Sequence, residues 1–200
     1  MYAKNTWEKY KDQLNEVFDY NEGYKHYISK NKTERACVKD SIKLAEEKGF
    51  KPLESFDTLK SGDKVYVTNR GKNIALFIIG KKPLTEGMRI LGAHIDSPRM
   101  DLKQNPLYES EGFTLADTHY YGGIKKYQWV TIPLSLYGVV CKKDGTVVDV
   151  VIGEDENDPV VGISDLLIHL SADQLDKKAA KVIEGENLDV TLGNMPLFGE

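Results

Sequence analysis

The sequence predicts an α/β fold that turns β-rich in its second half. Three observations carry this. Two early stretches place apolar residues at three- and four-residue steps, the period of a helix with one buried face. Short apolar runs bounded by Gly, Asn and Pro follow, and these read as strands. Beyond Lys103, Val, Ile, Tyr and Thr dominate, with Gly and Pro as punctuation. The boundary is expected near residues 100–110, giving 1–103 as an α/β part and 104–200 as a β-rich module, inserted or appended.

The first helix is expected over residues 5–18, on Trp7, Tyr10, Leu14, Val17 and Phe18, with Asn5 as cap and Glu8 as a capping-box carboxylate. Residues 20–30 are polar and aromatic and carry no firm assignment. The second helix is expected over 33–48, started by Asn31 and Glu34, striped by Val38, Ile42 and Ala45, and stopped by Gly49. Residues 64–68 and 74–79 read as two strands joined through Asn69-Arg70-Gly71-Lys72-Asn73, a hairpin signal. Two helices followed by strands open an α/β layer. In the second half, residues 126–141 and 146–152 read as strand material around the turn Lys142-Lys143-Asp144-Gly145. Residues 154–158 form an acidic loop, read as solvated surface, and 174–181 read as a short helix.

Composition excludes several classes. Charged residues make up 29% of the 200, and the net charge of −4 is spread along the chain, which argues against a nucleic-acid partner. No apolar run is long enough to span a membrane, and the first residues, MYAKNTWEKYK, lack the apolar region of a secretion signal. Cys37 and Cys141 are far apart and form neither a disulfide framework nor a thiolate metal site. A cytoplasmic protein is the expectation.

The chemistry concentrates in residues 88–103, MRILGAHIDSPRMDLK. Ile90-Leu91-Gly92-Ala93 reads as a buried strand delivering His94 and Asp96 to an open sheet edge, and Pro98 holds Ser97 extended. Side chains two apart on a strand share a face, so His94 and Asp96 project together with Ile95 opposite. A His-x-Asp triplet alone is a weak signal. At the end of an apolar strand it gains weight, because open α/β sheets take ligands there and metal-bound histidines lean on a carboxylate. His169, in Ile163-Ser164-Asp165-Leu166-Leu167-Ile168-His169-Leu170, falls at the edge of an apolar stripe if helical and beside Leu167 if extended. Taken from its pattern, it reads as a half-exposed structural histidine. His119 and His26 sit among turn-formers and aromatics and read as structural. Serine-elbow, phosphate-loop, dinucleotide and helical zinc motifs are absent.

The block Arg89–Tyr108, with its Gly-Ala-His-x-Asp-Ser-Pro core, resembles the zinc aminopeptidase family that includes aspartyl aminopeptidase and yeast vacuolar aminopeptidase I. Residues 33–50 are similar to the family's helix before its first strands. Tyr120-Tyr121-Gly122-Gly123-Ile124 is similar to its Y-G-G-G-[IL] segment, with one glycine fewer, and Ile163–Leu170 to its I-P-H-L-x-I-H-L segment, with Asp165 in place of the first histidine.

The resemblance implies a zinc-peptidase-like α/β catalytic domain, here its N-terminal part, interrupted by a β-rich dimerisation domain. It implies two zinc ions per site, with cobalt or manganese as alternatives, peptide substrates, and assembly into dimers or dodecamers. By that match His94 is a metal ligand, Asp96 the active-site carboxylate that orients its imidazole, and His169 a metal or substrate contact, reaching a neighbour's site. The family's remaining ligands and its general base lie further along than Glu200. The resemblance therefore implies the N-terminal part of a longer enzyme, and Leu197-Phe198-Gly199-Glu200 does not read as a packed terminus. Three functions follow: a metal-dependent aminopeptidase, a metal-dependent amidohydrolase of acylated amino acids, or a non-catalytic assembly module.

Overall fold

The computed structural model describes residues 4–195, so Leu197–Glu200 lies outside the described residues. The chain is mixed α/β and divides into two units, Met1–Ser97 and Pro98–Glu200. The sequence placed the division after Lys103. Strand pairing puts it earlier, because Arg99–Leu102 are laddered to Thr118–Tyr121 and so belong to the second unit.

In the first unit, helix α1 (Thr6–Lys9) begins at Asn5, whose side chain accepts from the Trp7 amide at 3.0 Å. The single helix expected over 5–18 is instead broken. A turn closes at Gln13, and α2 (Leu14–Lys30) runs on through the stretch that carried no assignment. Contacts distant in sequence fix the end of α2. Tyr27 Oη lies 3.2 Å from Ser41 Oγ, while Lys30 Nζ and Asn31 Nδ2 donate to the two carboxylate oxygens of Asp40 at 2.8 and 2.9 Å. These partners stand on α3 (Glu34–Glu47). Its cap is Thr33, whose Oγ1 accepts from the Ala36 amide, and not Asn31, which is buried against Asp40. Gly49 ends the helix with φ +81°, a conformation glycine adopts without a Cβ clash.

Strand β1 (Lys51–Pro52) runs parallel to β2 (Lys64–Asn69), which pairs antiparallel with β3 (Asn73–Ile78) in the register Lys64↔Ile78 to Asn69↔Asn73. Arg70 and Gly71 both take positive φ in the connecting turn, where Arg35 of α3 donates to the Arg70 carbonyl at 3.1 Å. Val65 and Tyr66 are both buried, and Tyr66 Oη donates to Glu46 of α3 at 2.8 Å. Helix α3 packs against β3 and β2, and β3 is an edge strand with Leu76, Phe77 and Ile78 exposed.

The second unit is built on β4 (Arg99–Ser110) and β5 (Phe113–Tyr121). Glu111-Gly112, both at positive φ, make the two-residue turn that matches the twist of a hairpin. A bulge between Leu102 and Leu107 accommodates Pro106, which donates no ladder bond and is tolerated on this edge strand. The sheet continues through β10 (Val190–Gly193) and β9 (Val161–Gly162) to β6 (Pro133–Leu134). Its core gathers Ala116, Val130, Val161, Ile163, Ile183, Leu188 and Val190. The expected hairpin is present as β7 (Leu136–Cys141) and β8 (Val147–Ile152) around the Lys142–Thr146 turn. The acidic loop is organised by Asp158, whose Oδ2 accepts from the amides of Gly153, Glu154 and Asp155. These backbone donors, Asp155 and Gly153 foremost, hold its carboxyl below the usual carboxylate range. In place of one helix over 174–181 there are two single turns, α4 (Ala172–Leu175) and α5 (Ala179–Val182).

Candidate metal centre

His94 and Asp96 meet as the sequence predicts, by a different route. Residues 87–98 form no strand, and Ile90 and Leu91 are 77% and 102% exposed rather than buried. The apolar run has strand propensity but no neighbour among the described residues to accept its backbone ladder, and propensity alone does not make a strand. Local bonding brings the two side chains together instead. His94 Nδ1 stands 3.0 Å from the Asp96 carbonyl oxygen and 3.1 Å from Asp96 Oδ1. On the side of α3, the buried Cys37 Sγ lies 3.5 Å from the Asn31 carbonyl oxygen and 4.0 Å from that of Ile95.

This geometry suits metal ligation. With its Nδ1–H donated to Asp96, the imidazole carries its lone pair on Nε2, the nitrogen a cation would take. The His94 side chain is 84% exposed and that of Asp96 42%, so the pair opens to solvent. Among the described residues, no group of three or more His, Cys, Asp and Glu comes together to hold a metal. The donors fit one corner of a zinc site: one imidazole nitrogen and the carboxylate that orients it. A closed zinc site takes four ligands, so two residues do not complete one.

His169 lies in the second unit, on an exposed single 3-10 turn, Ile168–Leu170, which is neither the helix nor the strand weighed for it. Around it Leu166, Leu167, Ile168 and Leu170 are each more than half exposed. His119 is a cross-strand neighbour of Asp101 and stacks on Tyr120 at 5.6 Å.

Residues 27–195 match the family described as Aminopeptidase I zinc metalloprotease (M18). The chain belongs to the M18 family. A probable M18 family aminopeptidase 1 from Clostridium acetobutylicum is 59% identical over 199 residues, covering 97% of this chain and 43% of the relative. The crystal structure of an M18 aminopeptidase from Thermotoga maritima superposes with a TM-score of 0.90 at 44% identity, over 100% of this chain and 43% of that one. The S. cerevisiae mApe1 dodecamer shares the fold, with a TM-score of 0.67 at 24% identity over 87% of this chain and 38% of that one. The chain thus spans less than half the length of the M18 relatives it matches. In none of its described helices is an apolar stretch long enough to cross a membrane.

Proposed function

We propose that this chain supplies the N-terminal part of a zinc-dependent M18 aminopeptidase, which removes the first residue of a peptide, with His94 as a metal ligand. The His94–Asp96 contact carries the reading: a solvent-open imidazole, oriented by a carboxylate, inside the block that matches the family. Asp96 holds the Nδ1 proton and so keeps Nε2 aimed outward with its lone pair free. Bound zinc, as a pair in this reading, would supply Lewis acidity toward the scissile carbonyl and would lower the pKa of a bound water toward ~7. The general base and the remaining ligands come from sequence equivalent to the part of the relatives that this chain does not match. By itself the chain does not turn over substrate.

His169 acts in the same reading at the site of a neighbouring copy, as a substrate or metal contact. Its exposure on a turn flanked by four exposed aliphatic residues supports an interface role. Self-association has a second support in the β7–β8 hairpin. One of its faces carries Leu136, Gly138, Val140, Val148, Val150 and Ile152 in cross-strand pairs; Leu136 packs against the unit's own core, while Val140 and Val148 are exposed, with no charge on that face to oppose docking. A cytoplasmic setting is supported by two cysteines that are both free.

A chimera tests the activity. Residues 1–200 replace the matched segment of the Clostridium acetobutylicum relative, and the product is assayed on aminoacyl anilides and on N-acyl amino acids. Chelator-sensitive cleavage of the anilides alone, abolished by His94→Ala, is the expected result. Full activity in the His94→Ala chimera overturns the ligand assignment. Cleavage of only the N-acyl substrates replaces the aminopeptidase by an amidohydrolase.

A further inference from the structure

The exposed stretch that carries His169 is pinned at both ends and tied across by a side chain. Ile163, just before it, is a core residue, and Ser171, just after it, is buried. Residues 164–170 between them are all exposed. The regular structure in this stretch is the 3-10 turn Ile168–Leu170. The Leu170 amide donates to the Leu167 carbonyl at 2.8 Å, and Ser171 Oγ donates to the Ile168 carbonyl at 3.1 Å. One such turn is weak by itself, since its hydrogen bonds are poorly aligned. Gln174, on α4, supplies the tie. Its Nε2 donates to Asp165 Oδ1 at 2.9 Å and lies 3.5 Å from the Val182 carbonyl oxygen. Both partners are acceptors, so the nitrogen of the amide is the end that faces them. The same Asp165 oxygen accepts from the Leu166 amide at 2.8 Å. Val182 packs against the core of the unit, and buried Ile183 follows it. Gln174 thus joins the start of the exposed stretch to backbone anchored in the core.

We propose that Gln174 and Asp165 are positioning residues for His169. Their bond closes the stretch around the turn, so that the imidazole is presented in one direction to the site it reaches. The proposal rests on the reading of His169 given under the proposed function. An exposed ring has little packing to aim it, so the backbone beneath it sets its direction. A contact that must land within about 0.5 Å needs that backbone held by supporting bonds. Asp165 and Gln174 lie four residues before and five after His169, so their bond spans the turn. Without it the two buried ends remain, and the turn between them is free to swing. The cost falls on the reaction and not on the fold, because the Gln174–Asp165 bond lies at the exposed surface.

The zinc-loaded chimera described above tests this with Gln174→Ala, Asp165→Ala, Asp165→Asn and His169→Ala. Deuterium exchange of peptides covering residues 164–171, read by mass spectrometry, reports the turn, and anilide kinetics report the site. Gln174→Ala and Asp165→Ala should exchange about 10-fold faster in those peptides. Both should lose about 10–100-fold in kcat/KM and keep the parent's unfolding midpoint. Asp165→Asn retains Oδ1 as an acceptor and should stay near the parent in exchange and in kinetics. The two residues act through one bond, so the double variant should lose no more activity than Asp165→Ala alone. Parent-like exchange or cleavage in Gln174→Ala, losses that add in the double variant, or activity that falls only in step with the unfolding midpoint overturns the proposal. His169→Ala separates it from the reading beneath it. If His169→Ala lowers kcat/KM and Gln174→Ala does not, the positioning role fails and His169 keeps its place. If His169→Ala cleaves like the parent, the reading of His169 fails and the proposal falls with it.

Discussion

Leu188 offers the sharpest test of the second unit. Its side chain is fully buried, and the neighbouring core residues Val190 and Ile183 leave it no route to solvent. Leu188→Ala deletes three carbons, worth about 2.4 kcal/mol of transfer free energy at ~0.8 kcal/mol per methylene. The cavity left behind adds to this, giving about 3–4 kcal/mol, within the range seen for buried Leu→Ala changes. The backbone carbonyl of Leu188 accepts from the buried Thr118 hydroxyl, and that bond survives the substitution, so no polar penalty is added. Urea unfolding followed by Trp129, which packs against this core, reads the change directly. Trp7→Phe removes the other indole, which is 59% exposed. At an m-value of about 2 kcal/mol/M the midpoint should fall by about 1.5–2 M. The long helices all stand in the first unit, so the helical circular dichroism at low urea should be unchanged. A midpoint shift below about 0.5 M would refute a core organised around this residue.

Other expectations concern the site and its supports. In the chimera, Asp96→Asn should keep the fold and lose roughly 10–100-fold in zinc affinity or activity, and an unchanged titration with zinc would remove Asp96 from the site. Asp40 is held below the ordinary carboxylate range by its hydrogen bonds to Lys30 and Asn31. Its stabilisation is present above an unfolded pKa of about 4 and disappears as pH falls through the lower folded value. Asp40→Asn should therefore be less stable than the parent at pH 7, and the gap should close in acid; a gap independent of pH, measured by thermal unfolding, would contradict this. Val140→Asp, on the exposed hairpin face, should reduce self-association by light scattering without lowering the unfolding midpoint. Gly112→Ala places a Cβ at φ +81° in the β4–β5 turn and should cost about 1–2 kcal/mol in thermal unfolding.

Much of this was legible in the residues because the signals are local. The Asn5 and Gly49 boundaries, the Asn69–Asn73 and Lys142–Thr146 turns, and the meeting of His94 with Asp96 each depend on atoms within a few positions of one another. The Glu111-Gly112 hairpin carries a local signal of the same kind, a two-residue glycine turn between β-rich flanks. The length of α2 was not legible. Its final turns are held by Ser41 and Asp40, residues 9–14 positions away on a helix whose packing no periodicity reports.

What the sequence by itself determined is the chemistry at one point: an imidazole with its own carboxylate two residues on, in a block specific enough to mark the M18 family. Only the tertiary structure decided whether the run before it is a strand. A helix satisfies its backbone within a single stretch, so its signals travel with the residues. A strand satisfies its backbone on a neighbour, and residues 88–93 have none among the described residues, so the same apolar pattern that reads as a buried strand stands open to solvent.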